Sequence, residues 1–186
     1  MNGMQNINIR QREEIGNLLN ALGYSKGVEV GVQYGKFARI ILSSWGGHLT
    51  MVDAWKEFSK EEYVDLANVP ELAHLRNMAL AVENVQPFVG RYEIVRALSY
   101  EAANRHADKS LDFVYLDADH SYAGVMKDLK AWRPKVRDGG MMCGHDYLDA
   151  KIPEGDFGVK SAVLDFFGRT PNIVTDEYWA SWFTIL

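Results

Sequence analysis

The stretch from Leu111 to Tyr147, LDFVYLDADHSYAGVMKDLKAWRPKVRDGGMMCGHDY, restricts the fold more than any other part of the chain. Phe113 to Leu116 is a short, continuous apolar run bounded by polar residues, the pattern of a strand buried on both faces. A polar loop, Asp117 to Tyr122, then opens an amphipathic helix reaching about Trp132, and a turn leads to a second buried strand, Met141 to Cys143. Strand, helix and strand in that order specify parallel neighbours joined by a right-handed crossover. Both strands end in groups that ligate or move protons: Asp117, Asp119 and His120 after the first, His145 and Asp146 after the second. Parallel strands point the same way, so these side chains are expected along the sheet edge where open α/β folds bind ligands.

The rest of the chain continues the alternation. Arg10 to Leu22 places Ile15, Leu18, Leu19 and Leu22 on one helical face, with Gly23 as a stop. Val28 to Val32 reads as a central strand, and Gly35 to Trp45 as a helix with Phe37, Ile40 and Ile41 inward. A second strand, Leu49 to Val52, ends at Asp53. Residues 54–70 are aromatic and charged without a period, which suits a loop or a lid over the site; Trp55, Phe58 and Tyr63 stand there. Glu71 to Val85 carries Leu72, Leu75, Met78, Ala79 and Val82 at helical spacing, followed by a strand at Tyr92 to Val95 and a short helix that Ser99 could cap. Residues 148–157, with Pro153 and Gly155, read as a loop, and Gly158 to Phe167 as a helix. Asn172 to Thr175 and Ala180 to Leu186 are closing strands whose short connection suits antiparallel neighbours. The expectation is one α/β domain over residues 1–186, a doubly wound, mostly parallel Rossmann-like sheet with an antiparallel strand near the C-terminus, preceded by an N-terminal helix within residues 1–24.

Composition narrows the partners. A net charge of −5 with no concentrated basic face argues against nucleic acid. No apolar run approaches the roughly 20 residues of a membrane span, and the polar N-terminus lacks a signal-peptide core. A single cysteine, Cys143, inside an apolar strand reads as an inert core residue and suits a reducing, cytoplasmic setting.

The chemistry starts at Glu29-Val-Gly31-Val-Gln-Tyr-Gly35, where a strand turns into a helix. Missing side chains there allow a ligand close to the backbone, and the helix N-terminus offers free N–H groups. The spacing is not the G-x-G-x-x-G pyrophosphate fingerprint, which disfavours a dinucleotide. Asp53 stands where a carboxylate accepts ribose hydroxyls, so the pair suggests a nucleoside ligand without pyrophosphate. The bland readings remain beside this one: Asp117 could begin a turn, and Asp119 or Ser121 could cap the following helix.

VEVGVQYGKFA, the acidic end of the second strand, and DFVYLDADHSY through GGMMCGHDY together resemble the small class I S-adenosylmethionine-dependent methyltransferases, in the methyltransferase 24 branch related to macrocin and catechol O-methyltransferases. The resemblance covers about Gly27 to Phe167. It implies that Glu29, Gly31 and Gly35 lie along the methionine part of S-adenosyl-L-methionine, that Asp53 takes the ribose hydroxyls, and that Ala97, Leu98 and Ser99 lie near the adenine. It implies a divalent metal held by Asp117, His145 and Asp146, and a base at His120 where the catechol-type enzymes carry lysine. His145 in place of an oxygen ligand shifts the expected metal from magnesium toward manganese or a softer ion. The implied activity is O-methylation of a hydroxyl on a small-molecule acceptor, a sugar, phenol or natural product, with a homodimer able to cover the pocket. Other readings stay open: a metal-independent or N-methylating enzyme of the same fold, an oxygenase or hydrolase using His120, His145 and a carboxylate, and a non-catalytic nucleoside-binding domain.

Overall fold

Short β-branched strands alternate with helices to give a sheet whose centre is made by the most apolar runs of the chain. The computed structural model describes residues 9–59, 61, 63–153 and 155–186; the start of the expected N-terminal segment therefore lies outside the described residues. The elements are α1 (Ile15–Ala21), β1 (Lys26–Val30), α2 (Lys36–Ser44), β2 (His48–Asp53), α3 (Glu71–Val85), β3 (Tyr92–Arg96), α4 (Ser99–Ala102), β4 (Leu111–Leu116), α5 (Tyr122–Trp132), β5 (Val136–Gly144), β6 (Asp149–Ile152), β7 (Gly155–Gly158), α6 (Val159–Phe167), β8 (Ile173–Val174) and β9 (Trp182–Ile185). Among the described residues seven strands form one sheet in the order β3-β2-β1-β4-β5-β9-β8. β1 to β5 are parallel, while β9 runs antiparallel to both β5 and β8. The strand order reverses between β1 and β4, and this is the point where an open α/β sheet leaves a crevice at its C-terminal edge.

Successive residues of a strand face opposite sides, and β4 divides its side chains accordingly. Phe113 and Tyr115 enter one apolar cluster with Ile15, Leu19, Phe37, Ile41 and Trp45. Val114 and Leu116 enter the other with Val125, Leu129, Trp132, Val163 and Trp182. Cys143 lies in the first cluster, fully buried, and burial pushes its thiol well above the ordinary cysteine range, as an inert core residue requires.

Three local expectations are corrected. Residues 148–157 are not a plain loop: β6 and β7 pair as a small antiparallel hairpin beside the main sheet. Of the apolar positions of α3 at helical spacing, Met78 packs on the core, but Leu72, Leu75 and Val82 point outward, 61%, 44% and 43% exposed, while His74, Ala81 and Val85 are buried. This helix lies close against α2, where a Cβ on Gly35 would come within 2.8 Å of the Ala81 Cα, and only small residues fit that contact. Tyr122, the first residue of α5, is half-exposed and donates to Asp165. Ser99 does not cap α4; its hydroxyl accepts the Trp132 indole N–H at 2.9 Å. Ser121 does cap α5, accepting the Gly124 N–H at 3.1 Å, and Asp119 accepts the Ser121 N–H at 2.9 Å, so turn and cap chemistry accounts for both residues.

Candidate functional site

The loops after β1 and β4 cross at close quarters. Gly31 takes a left-handed backbone with φ +89°, and a Cβ there would fall on the carbonyl oxygen of Asp117. Gly35, at φ +75°, faces Ala81 of α3. Both glycines therefore answer to the chain's own packing, and Gly35 lies outside the cavity lining.

Asp53 ties this turn together. Its Oδ2 accepts the Val32 and Gln33 N–H groups at 3.0 and 2.8 Å, and its Oδ1 accepts the Trp55 N–H at 2.7 Å. Burial raises its pKa above the ordinary aspartate value in spite of those bonds. Trp55 is buried and its indole N–H reaches the Gln33 carbonyl at 2.6 Å, so the start of the 54–70 segment is anchored to the same turn. Three non-glycine residues around the site, Gln33, Trp55 and Asp146, hold left-handed backbone at φ 50°, 39° and 51°. Such strain persists where surrounding bonds over-determine it.

Beneath Gly31, Glu29 is 1% exposed, and its Oε2 has no partner among the described residues. Burial, with Asp117 and Asp53 nearby, pushes its carboxyl well above the usual carboxylate range against the pull of Arg12. A buried acceptor without a donor beside a cavity is suited to a cationic or N–H-bearing ligand group.

The acidic end lies where β4 and β5 finish. His120 Nε2 stands 3.1 Å from Asp146 and 3.5 Å from Asp117, and its Nδ1 stands 2.9 Å from Asp65. Phe157 of β7 stacks on its ring at 5.0 Å with 10° between planes. Burial opposes charge on this imidazole, yet the bonds to Asp117 and Asp65 and the fields of Asp117 and Asp146 prevail and raise its pKa to about 10. His120 thus carries its proton at neutral pH in this arrangement, unlike the neutral base expected from an ordinary histidine. Asp117 is held below the usual aspartate value, since His120, His145 and Arg12 outweigh its burial. His145 Nδ1 lies 2.9 Å from Asp146 and 3.7 Å from Asp117.

Among the described residues the group whose ligand atoms converge within 4.8 Å is Asp117, His120 and Asp146. His145, which the resemblance implied as a ligand, faces the same two carboxylates through its Nδ1, and His120 joins them from the other loop. Two carboxylates and an imidazole suit manganese, iron or zinc better than magnesium.

Two contributors have no signal in the local sequence. Asp65 comes from the aperiodic 54–70 segment, which is pinned by a backbone bridge from Asp65 to Gly155 and by the Tyr63 hydroxyl donating to the Ala118 carbonyl at 3.0 Å. Arg12 comes from the turn before α1, with its guanidinium 3.4 Å from Asp117 and 4.8 Å above the Phe37 ring. Only the three-dimensional fold shows either one.

All these groups open into one cavity of about 800 Å³. Glu29, Gly31, Asp53, Ala97, Leu98, Ser99, Asp117, His145 and Asp146 line it, joined by Arg12, Asp65, His120, Phe157 and Trp179. That volume is of the size that takes a small organic ligand. No helix among the described residues is long and apolar enough to cross a membrane.

The profile of a family described as a methyltransferase domain matches residues 28–147, most of the chain. No curated protein matches the chain significantly. Solved structures share the architecture at low identity. An O-methyltransferase from Bacillus cereus in complex with SAH superposes with a TM-score of 0.64 at 13% identity, covering 98% of this chain and 84% of that one. The cofactor-bound protein Rv0187 from MTB gives 0.65 at 14% identity, covering 98% and 82%. A protein from Corynebacterium glutamicum gives 0.59 at 17% identity, covering 93% and 80%.

Proposed function

Because the chain belongs to the class I S-adenosylmethionine-dependent methyltransferases, in the methyltransferase 24 branch, we propose that it transfers a methyl group to a hydroxyl of a small-molecule acceptor, assisted by a divalent metal. The observation that carries this reading is convergence: the acidic cluster of Asp117, His120 and Asp146 opens into the same cavity as Glu29, Gly31, Asp53 and Ser99. A methyl donor held along the second set would share the cavity with the first.

The residues divide the work. Glu29 offers its unpartnered oxygen to the amino group of the cofactor, and Gly31 lets the loops after β1 and β4 close up beside it. Asp53 uses three bonds to hold the turn. A carboxylate has about four lone-pair sites, so Asp53 still has capacity for one ribose hydroxyl. Asp117 and Asp146 would hold the cation, with His120 or His145 as the nitrogen ligand. A divalent cation there would lower the pKa of the acceptor hydroxyl and offset the field that keeps His120 charged. Where His145 is the nitrogen ligand, His120, fixed by Asp65 and stacked on Phe157, is the group left to receive the hydroxyl proton at Nε2. Transfer of a sulfonium methyl to oxygen depends mainly on alignment, and the bonds that lock this loop set supply it.

A second reading, methyl transfer without metal, is favoured by one feature: His120 and Arg12 already neutralise Asp117. Calorimetric titration with S-adenosylmethionine, in EDTA and then with magnesium or manganese, separates the two. Micromolar-range cofactor binding is expected throughout. Manganese binding that disappears in both Asp117→Asn and Asp146→Asn supports the metal-assisted reading. Methylation of hydroxylated acceptors that persists in EDTA favours the other. No cofactor binding by the folded protein refutes both.

A further inference from the structure

Helix α5 brings one more carboxyl to the cavity, at the end formed by Ala97 to Ser99. Asp128 is 5% exposed and lines both this cavity and a small inner one of about 10 Å³ beneath Trp182. Its carboxyl is bonded to the side chain of Ser99, whose hydroxyl oxygen also accepts the Trp132 indole N–H. Ser99 therefore has its proton to give to Asp128 and is fixed in one orientation. Among the described residues no lysine, arginine or histidine forms an ion pair with Asp128. The charged and titratable groups around it are Asp119 from the loop before α5 and Lys127 on its own helix. His120 and His145 line the same inner cavity.

We propose that Asp128 reads the adenine edge of the cofactor, donating its carboxyl proton to N1 and accepting a hydrogen bond from the exocyclic amino group. The inference rests on the proposed function, with the adenine beside Ala97 to Ser99 as the family resemblance implies. It follows from matching donors to acceptors. Adenine offers an acceptor, N1, next to a donor, the amino group, and a carboxylic acid offers a donor next to an acceptor. A carboxylate keeps the amino contact but sets its lone pairs against that of N1. Burial, reinforced by Asp119 and only partly opposed by Ser99 and Lys127, raises the pKa of Asp128 to about 7, so the protonated form is accessible near neutrality. A polar edge buried against an unmatched partner would lose affinity.

The test is calorimetric titration of the full chain with S-adenosylhomocysteine in EDTA, at pH 6 and pH 8.5, for the wild type, Asp128→Asn and Asp128→Leu, with thermal unfolding to check folding. Wild-type affinity is expected to fall ~10- to 30-fold between the two pH values, as the protonated fraction falls above a pKa of about 7. The Asp128→Asn protein presents a donor and an acceptor at every pH, so it should bind at both values about as the wild type binds at pH 6. Asp128→Leu should bind at least ~10-fold more weakly. The 1-deaza analogue of the ligand, lacking the N1 acceptor, should bind the wild type weakly and without that pH dependence. A wild type and an asparagine variant with the same pH profile, or a leucine variant that binds normally, would overturn the assignment while leaving the cofactor reading intact. Failure of the folded wild type to bind at either pH would remove the cofactor reading and this assignment together.

Discussion

His120 Nδ1 lies 2.9 Å from Asp65 Oδ2, so the aperiodic stretch between β2 and α3 gives a third carboxylate to the histidine that Asp117 and Asp146 also face. The side chains of this pair are only 15% and 9% exposed, and their interaction is little screened by solvent. Asp65→Ala should destabilise the protein by ~1.5–3 kcal/mol, the range for a lost hydrogen bond to a charged group. Urea unfolding at pH 7 in EDTA measures it. A variant as stable as the wild type would mean that the contact contributes nothing.

The same histidine fixes a pH dependence. Its pKa is about 10 in the folded protein against the ordinary 6.5, so the native state holds a proton that the unfolded chain releases. The resulting stability is complete below pH 6.5 and is lost as pH rises through about 10. In EDTA the wild type should lose up to ~1.4 kcal/mol per pH unit within that window. His120→Asn should show a shallower slope over the same range, and parallel slopes in denaturation series from pH 6 to 10 would contradict the ion-pair arrangement.

Glycine substitutions separate backbone strain from collision. Gly23 has φ +68° with nothing within 4 Å of a Cβ, whereas Gly31 has φ +89° and faces the Asp117 carbonyl. Gly23→Ala should cost ~1–2 kcal/mol from its left-handed backbone alone. Gly31→Ala should cost at least ~3 kcal/mol and abolish binding of S-adenosylhomocysteine, because the loops after β1 and β4 must part. Thermal unfolding and calorimetry on both variants check the contrast.

Asp53 gives a prediction that distinguishes framework from ligand contact. Its three accepted backbone N–H groups become unpaired in Asp53→Ala, which should lower stability by ~2–4 kcal/mol and cofactor affinity with it. In Asp53→Asn one oxygen is replaced by an N–H donor that faces backbone donors, so this variant should also be destabilised. Loss of cofactor affinity with an unchanged denaturation midpoint in both variants would assign Asp53 to the ligand alone.

Much of the fold is legible in the sequence because the strands β1, β2, β4 and β5 are continuous apolar runs between polar loops, and such runs have few other uses in a chain of this size. The reversed C-terminal pair was legible from its short connection. The β6–β7 hairpin was not, since its residues alternate in exposure without an apolar period and Pro153 and Gly155 signal only a turn. The outward face of α3 was misleading for a different reason: spacing shows that a helix has an apolar side, and only packing against α2 shows which side is covered. At the site, Asp117, His120 and Asp146 were readable from their places after strands. Asp65 and Arg12 reach His120 and Asp117 across 55 and 105 residues of chain, and nothing local records such a contact. That His120 joins Asp117 and Asp146 in the convergent cluster depends on side-chain direction, which strand register alone does not fix.

The backbone bridge between Asp65 and Gly155 joins the two segments that frame the cavity mouth, one inserted after β2 and the other after β5. Neither segment belongs to the main sheet, and each supplies one support for His120, a carboxylate from the first and the Phe157 ring from the second. The pair behaves as a two-part mould clamped at the seam between Asp65 and Gly155. An engineer seeking a different acceptor would have to recast both halves together, since a graft of either alone opens the seam and loosens the histidine between them.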